Sequence, residues 1–168
     1  MELKKWKIEY ADSLAKHANN KNIADNLMDA FPHPYNQNNA KEYINYCINL
    51  DIESHLYRAI IEDEQAIGCI SISLGIDIHS KTAKIAYWLS EDYWNKGIMR
   101  KAIKEICDMA FDQLKIVRIY AEVFYYNTAS CIVLENGGFV FEGEQKKAIS
   151  KNEKVYDALM YALTLNNI

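Results

Sequence analysis

Tyr93-Trp94-Asn95-Lys96-Gly97-Ile98-Met99-Arg100 is the stretch on which the fold turns. Before it, Ile85-Ala86-Tyr87-Trp88-Leu89 is apolar and aromatic and reads as a buried strand. After it, Ile103, Ile106, Cys107, Ala110, Phe111 and Leu114 recur at helical spacing, while Lys101, Lys104, Asp108 and Asp112 fall on other faces. The stretch is therefore a strand-to-helix turn with Gly97 at its bend. The first amides of a helix lack intrahelical acceptors, and the helix dipole adds partial positive charge at that end. Lys96 and Arg100 bring full positive charges to the same place. Together these describe an anion site, most simply for a phosphate or pyrophosphate. The turn alone fits equally an ordinary strand–turn–helix with a solvated lysine. It is not a Walker loop, since no Gly-Lys-Ser/Thr follows, nor a Rossmann fingerprint, since Gly-x-Gly-x-x-Gly is absent.

Composition narrows the classes. A chain of 168 residues is expected to form a single domain over 1–168, long enough for a core without staples. Half of it is apolar and a quarter charged, an ordinary globular balance. A net charge of −4 argues against a nucleic-acid surface. Against that background Lys96, Arg100, Lys101 and Lys104 form a local basic patch, suited to a small anion rather than a polymer. Cys47, Cys69, Cys107 and Cys131 lie far apart in apolar surroundings, without metal-ligand spacing. They read as reduced core thiols, with a nucleophilic cysteine the minor alternative, and no metal is expected. No apolar h-region follows Met1-Glu2-Leu3-Lys4-Lys5-Trp6, and no apolar run reaches membrane-spanning length. The expected setting is the cytoplasm, with no membrane partner.

Taken in order, Leu3–Ile8 reads as a strand, Leu14–Ala18 after Asp12 as a helix, and Ile23–Met28 as a short helical turn. Phe31-Pro32-His33-Pro34-Tyr35 must leave helical geometry, since each proline biases its predecessor to extended backbone. Ala40, Tyr43, Ile44, Cys47, Ile48 and Leu50 trace a helix with Asn38 or Asn39 as its cap. Leu56–Ile61, Ala66–Leu74 and Thr82–Leu89 read as strands, the first two joined by a polar turn at Glu62–Gln65. Gly68 inside a strand signals a bulge or a close backbone neighbour. Val117–Tyr125 is a strand, Thr128–Asn136 a short helix stopped at Gly137-Gly138, and Phe139–Glu144 and Val155–Leu163 are the closing strands. Strands on either side of a long central helix imply an α/β layer with a mixed sheet. Its parallel pair should be the strands flanking that helix.

If the central helix is a right-handed crossover, the C-terminal ends of its two flanking strands lie side by side, where open α/β sheets bind ligands. Asn127, Thr128 and Ser130 stand just past the second of these ends. Asn127 or Thr128 is a helix cap on one reading. On the other, Asn127 and Ser130 hold the ligand whose anionic end rests on Asn95–Arg100.

Here the motifs become specific. Tyr87-Trp88-Leu89 followed by Tyr93-Trp94-Asn95-Lys96-Gly97-Ile98 resembles the acetyl-coenzyme A signature of GNAT N-acetyltransferases. The likeness is greatest to the branch that acetylates ribosomal-protein N-termini at alanine or serine (RimJ/RimL-type). Asn127-Thr128-Ala129-Ser130 and Leu134-Glu135-Asn136-Gly137-Gly138-Phe139 are similar to that branch's Asn-x-x-Ser and Gly-Phe motifs. Phe31-Pro32-His33-Pro34-Tyr35 resembles its Pro-x-Pro-Tyr loop. The resemblance spans nearly the whole chain and implies a central, mixed, mostly antiparallel sheet that splays, flanked by helices.

It also implies a ligand path. The central strands would splay after Leu89, with the pantetheine arm held by backbone groups of Trp88, Leu89 and Ser90 as an added strand. The pyrophosphate would lie on the amides of Asn95, Lys96, Gly97, Ile98, Met99 and Arg100. The acetyl carbonyl would sit in the splay, polarised by a backbone amide and open to direct attack by an amine. Four departures matter. Asn95 replaces a glycine, and Met99 replaces a small residue and brings bulk toward the phosphates. Lys84 stands where the branch often has glutamate. Relatives outside the branch place a tyrosine acid where this chain has Leu134, so Ser130 becomes the candidate for protonating the leaving thiolate. Glu122, in an otherwise apolar strand, is the candidate base; its alternative is a carboxylate facing solvent or a lysine. His33 is a second base candidate. Phe31, Pro34 and Tyr35 shape the acceptor pocket or anchor the loop in the core, with Asp29, Glu42 and Asp51 nearby to attract an ammonium.

The function expected is transfer of an acetyl group from acetyl-coenzyme A to a primary amine, either a protein N-terminus or a small molecule, without metal or nucleic acid. A homodimer is compatible with this. The competing class is a silent acyl-coenzyme A-binding sensor, to which Met99, Lys84 and the missing tyrosine point.

Overall fold

A computed structural model describes residues 1–165. Seven strands form one sheet in the order β1-β2-β3-β4-β5-β7-β6. They are β1 (Glu2–Lys4), β2 (His55–Glu62), β3 (Gln65–Leu74), β4 (Thr82–Leu89), β5 (Arg118–Phe124), β6 (Val140–Lys151) and β7 (Lys154–Thr164). Every neighbouring pair is antiparallel except β4 and β5, the strands that flank the central helix. The helices are α1 (Ala11–Ala18), α2 (Lys21–Ala24), α3 (Gln37–Ile48), α4 (Ile98–Gln113) and α5 (Thr128–Asn136).

Strand alternation sorts the core onto two faces. Ala83 and Ile85 of β4, Ile119, Ala121 and Val123 of β5, and Ile103 and Ile106 of α4 share one cluster. On the opposite face Leu14 of α1 and Ala40 and Ile44 of α3 pack on Ala59, Ile61 and Cys69, with Trp88 at the margin. This second cluster covers β2 and β3 and stops at β4, where Ala86 is exposed in mid-strand. The sheet face over β4, β5 and β7 is thus left open.

Several elements differ from the sequence expectation, the short helix first: it spans Lys21–Ala24 behind an Asn20 cap, not Ile23–Met28. The first strand ends at Lys4, because Trp6 turns into the core and Ile8–Tyr10 begins a short 3-10 turn. The cap of α3 is Asn36, not Asn38 or Asn39; its side chain accepts from the amides of both, and Asn39 completes a reciprocal capping box. Strand β6 runs on to Lys151, joined to β7 by Asn152 and Glu153, both left-handed with φ 49° and 63°. That geometry closes a tight hairpin whose twist matches its strands, although Asn-Glu is an unusual pair to supply it.

The bulge signalled by Gly68 is present: the β2–β3 register shifts so that Ile60 faces Gly68 while Ile61 faces Ala66. A Cβ on Gly68 would lie 2.5 Å from the Trp88 carbonyl oxygen. The bulge and this close approach carry β4 along β3 to Leu89. Gly68→Ala is expected to lower stability by about 1–3 kcal/mol through overpacking. Urea unfolding would show it as a lower midpoint at unchanged slope.

Candidate functional site

Between β4 and β5 only three residue pairs register, Thr82 with Arg118, Ala83 with Ile119 and Lys84 with Tyr120. Beyond them β4 stays with β3 as far as Leu89, and β5 stays with β7 as far as Phe124. The splay therefore opens after Lys84, five residues earlier than expected from the sequence. The hydrogen bonds Gly75 N to Thr82 O and Ser90 N to Ile67 O, both 2.8 Å, fix which β4 residues face β3. Antiparallel alternation then turns the backbone of Trp88 and Ser90 to β3, and that of Tyr87 and Leu89 to the gap. The pantetheine contacts expected at Trp88 and Ser90 are corrected on this point, while Leu89 keeps its amide in the gap. The Leu89 carbonyl accepts from Trp94 Nε1 at 2.8 Å. The Ser90 side chain is buried against His17, with Oγ 2.9 Å from Nδ1.

At the mouth of the gap lies the loop that leads into α4. A 3-10 turn at Glu91–Tyr93 leads to Asn95 at φ 60° and Gly97 at φ 72°, and α4 starts at Ile98. Two left-handed residues in so short a loop turn successive amides toward one concavity. Asn95 is among the few side chains that tolerate this conformation. Nothing stands within 4 Å of a Cβ built on Gly97, so the space over the loop is open. No side chain caps α4, and Lys101 N is the first amide to bond back, to Gly97 O at 3.3 Å. The amides of Ile98, Met99 and Arg100 are thus the unpartnered ones of this helix start. Lys96 Nζ stands 5.0 Å above the Tyr93 ring, and Arg100 is exposed. The Met99 side chain is buried with Ile98 in the core cluster, so its bulk, expected from the sequence over the loop, points into the core instead.

Across the gap, Asn127 caps α5, its side chain accepting from Ser130 N at 3.1 Å. The capping reading of Asn127 is therefore observed. Ser130 Oγ lies 2.7 Å from the Tyr87 hydroxyl. Burial raises Tyr87 above the ordinary phenol range and keeps it protonated. Tyr87 is the site residue that sequence reasoning missed. Its only signal was odd-numbered alternation in β4, which places it on the α5 face, and nothing in the sequence pairs it with Ser130. Leu134 is fully buried and offers no chemistry.

On the open face, Lys84 Nζ and Glu122 Oε2 form an ion pair at 2.7 Å, both partly exposed. Glu122 therefore meets a lysine, as its alternative reading anticipated, at the level where β4 and β5 part. Phe31 stands edge-on to Trp88 at 5.9 Å and against Tyr35 at 5.0 Å. Tyr35 is only 5% exposed and anchors the loop in the core, whereas Pro34 and His33 are exposed. Asp51 is taken up by its own turn, holding Glu53 N and the Ser54 hydroxyl. A cleft of about 460 Å³ opens between Asp25, Asp29, Phe31 and His33 on one side and Lys151 and Asn152 on the other. It adjoins a recess of about 360 Å³ that adds Tyr126, Lys154 and Tyr156. The hairpin residues of this wall carry no motif and were not legible as site residues.

Cys69 and Cys107 are core thiols rather than nucleophiles. Burial pushes the Cys69 and Cys107 thiols up to about 12. Among the described residues no group of His, Cys, Asp and Glu could hold a metal, and no helix is long and apolar enough to cross a membrane.

Residues 1–140 match the family model of the acetyltransferase (GNAT) domain. The probable N-acetyltransferase YjcK of Bacillus subtilis is 37% identical over 102 residues, 61% of this chain and 56% of that one. The chain thus matches little more than half the length of this relative. A solved microcin C7 self-immunity acetyltransferase, MccE, in complex with acetyl-CoA and AMP, superposes with a TM-score of 0.86 at 25% identity, covering 97% of this chain and 91% of that one. A ribosomal-protein-S5-alanine acetyltransferase from Vibrio fischeri superposes with a TM-score of 0.83 at 25% identity, covering 98% and 93%.

The two aromatics of the loop should separate in stability. Tyr35→Ala is expected to cost about 3–5 kcal/mol, as for other buried aromatics, and half-exposed Phe31→Ala less than about 2 kcal/mol. Chemical denaturation of the two variants measures this directly.

Proposed function

The chain belongs to the GNAT acetyltransferase family, and from that premise we propose that it moves an acetyl group from acetyl-coenzyme A to a primary amine by direct attack. One observation carries the reading: a strand edge with unpaired backbone runs straight into an anion loop at a helix start. Pantetheine is a chain of amides and needs such an edge, as an added strand would. The pyrophosphate at its end needs such a loop. The complex of a similar protein with acetyl-CoA supports the same choice of co-substrate.

The chemistry follows from the two sides of the gap. Pyrophosphate rests on the amides of Asn95–Arg100, with Lys96 and Arg100 adding charge. The thioester carbonyl lies by the Tyr87 and Leu89 backbone, where an amide stabilises the oxyanion. The amine attacks from the open face, the C–N bond forms, and the C–S bond breaks with its electron pair going to sulfur. The amine's proton leaves toward Glu122, held by Lys84, or to water at that half-exposed pair. Ser130 hands its proton to the thiolate and is reprotonated from water. Tyr87 is a positioning residue: either hydroxyl of the pair can donate, and with the tyrosine donating into Ser130 Oγ the serine hydrogen is left to point at sulfur. The features that favoured a silent sensor lose their weight here. Met99 points inward, Lys84 has Glu122, and a tyrosine stands by Ser130 from another strand.

Two experiments test this. Gly97→Glu should remain folded, its strain being about 1–2 kcal/mol for a left-handed residue, and should lose coenzyme A binding in calorimetry. Wild-type affinity in the folded variant would place the pyrophosphate elsewhere. Ser130→Ala should lower kcat by about a hundredfold, within the range of acid–base assistance. Tyr87→Phe should lower it by about tenfold, with the KM for acetyl-coenzyme A nearly unchanged. The double variant should be no slower than Ser130→Ala, since the tyrosine acts only through the serine. A thioester of a more acidic thiol should recover most of each loss. Additive losses, indifferent to the leaving thiol, would mark Tyr87 as merely structural.

A further inference from the structure

The open face that receives the acceptor has a definite charge arrangement. Along β4, Lys84, Ala86 and Trp88 share that face, and along β5 so do Glu122 and Phe124. This floor leads from the Lys84–Glu122 pair to both recesses. Trp88 meets Phe31 at 5.9 Å, and Phe124 meets Tyr126 at 5.1 Å and Tyr156 at 5.8 Å.

Every carboxylate on this path already has a lysine. Asp25 pairs with Lys21 at 2.7 Å, and Glu122 with Lys84 at 2.7 Å. Asp29 pairs with Lys151 at 3.2 Å; Lys151 is nearly buried and also donates to the Leu27 carbonyl at 2.7 Å. Its burial fixes this contact between the β6–β7 hairpin and the loop after α2. Lys154 lines the inner recess between Tyr126 and Tyr156, and among the described residues it makes no ion pair. Glu91, the next carboxylate along, is held by Asn20 and Asn22 and lines neither recess. The path therefore offers one carboxylate at the reaction centre, Glu122, shared with Lys84, and farther out one cation, Lys154, that makes no ion pair among the described residues.

We propose that the acceptor is an amine whose reacting nitrogen is its only cation, with a polar remainder that is neutral or, preferably, anionic lying against Tyr126, Tyr156 and Lys154. The proposal rests on the acetyl-transfer reading above and narrows its substrate class. A reacting ammonium is drawn to Glu122 and loses its charge there. A second ammonium, farther out, meets carboxylates already neutralised by Lys21 and Lys151 or lies by Lys154, with no proton transfer to compensate for displacing a lysine. Polyamines and amines with basic flanking groups are disfavoured, while a peptide N-terminus followed by neutral or acidic residues fits.

The test uses the full chain saturated with coenzyme A and three tripeptide amides, Ala-Tyr-Asp, Ala-Tyr-Asn and Ala-Tyr-Lys, with spermidine as a fourth probe. Calorimetric affinity should fall in the order Asp, Asn, Lys, by about tenfold from first to last at low salt, with spermidine weakest. Lys154→Glu should reverse the order of the charged peptides and leave coenzyme A affinity unchanged. Equal affinities, tighter binding of spermidine or the lysine peptide, no binding of any probe, or an unaltered order in Lys154→Glu would each overturn the proposal. Thiol release from acetyl-coenzyme A is scored separately. Peptides that bind in the expected order without thiol release would defeat the transfer reading and leave the charge preference standing.

Discussion

Only three registered residue pairs hold the two halves of the sheet together, and the rest of the structure follows from that shortage. Strand β4 continues along β3 and β5 continues along β7, so each is satisfied on its outer edge and unsatisfied toward the other. A strand edge with unpaired amides and carbonyls calls for a partner. A linear ligand that carries amides of its own can supply one without any change in the protein. At Gly68, β3 and the Trp88 carbonyl approach too closely for any side chain, and this close contact goes with β4 staying on β3 as far as Leu89. A backbone feature in the third strand thus borders a site formed by the fourth and fifth.

The loop that closes the gap is tied to the same edge. Trp94 donates from its indole to the Leu89 carbonyl, consuming the last outward acceptor of β4 and setting the start of the loop. Asn95 and Gly97 then turn amides inward, and α4 begins without a side-chain cap. Its unpartnered amides suit an anion at the mouth of the gap, while Tyr87 and Ser130 meet across it deeper in. Hydroxyl pair, strand edge and loop follow one another in the order in which coenzyme A would present its thiol, pantetheine and pyrophosphate.

Periodicity and turn chemistry made much of this legible. The strand, glycine turn and helix at Ile85–Leu114 were readable because burial imposes one period on strands and another on helices. The parallel pair followed from the handedness of crossovers, and Gly68 announced a close neighbour. What stayed hidden depended on register or on long-range meetings. Which β4 amides face the gap is decided by a pairing with β3 that no single strand encodes. The contact of Tyr87 with Ser130 joins residues far apart in sequence, as does that of Lys151 with Asp29. Asn36 was passed over as a cap because two further asparagines, Asn38 and Asn39, follow it. The outer half of β6 was missed because its residues face solvent on both sides and carry no alternation.

The central claim is that the ligand completes the unpaired edge of β4 and rests its pyrophosphate on the start of α4. Backbone amide shifts during a titration with coenzyme A test it most directly, since each amide reports its own hydrogen bond. The account requires the largest changes at Tyr87, Leu89 and Asn95–Arg100, with Trp88 and Ser90, which are bonded to β3, moving less. Changes concentrated in the Phe31–Tyr35 loop and the hairpin tip, with the α4 start unmoved, would contradict it.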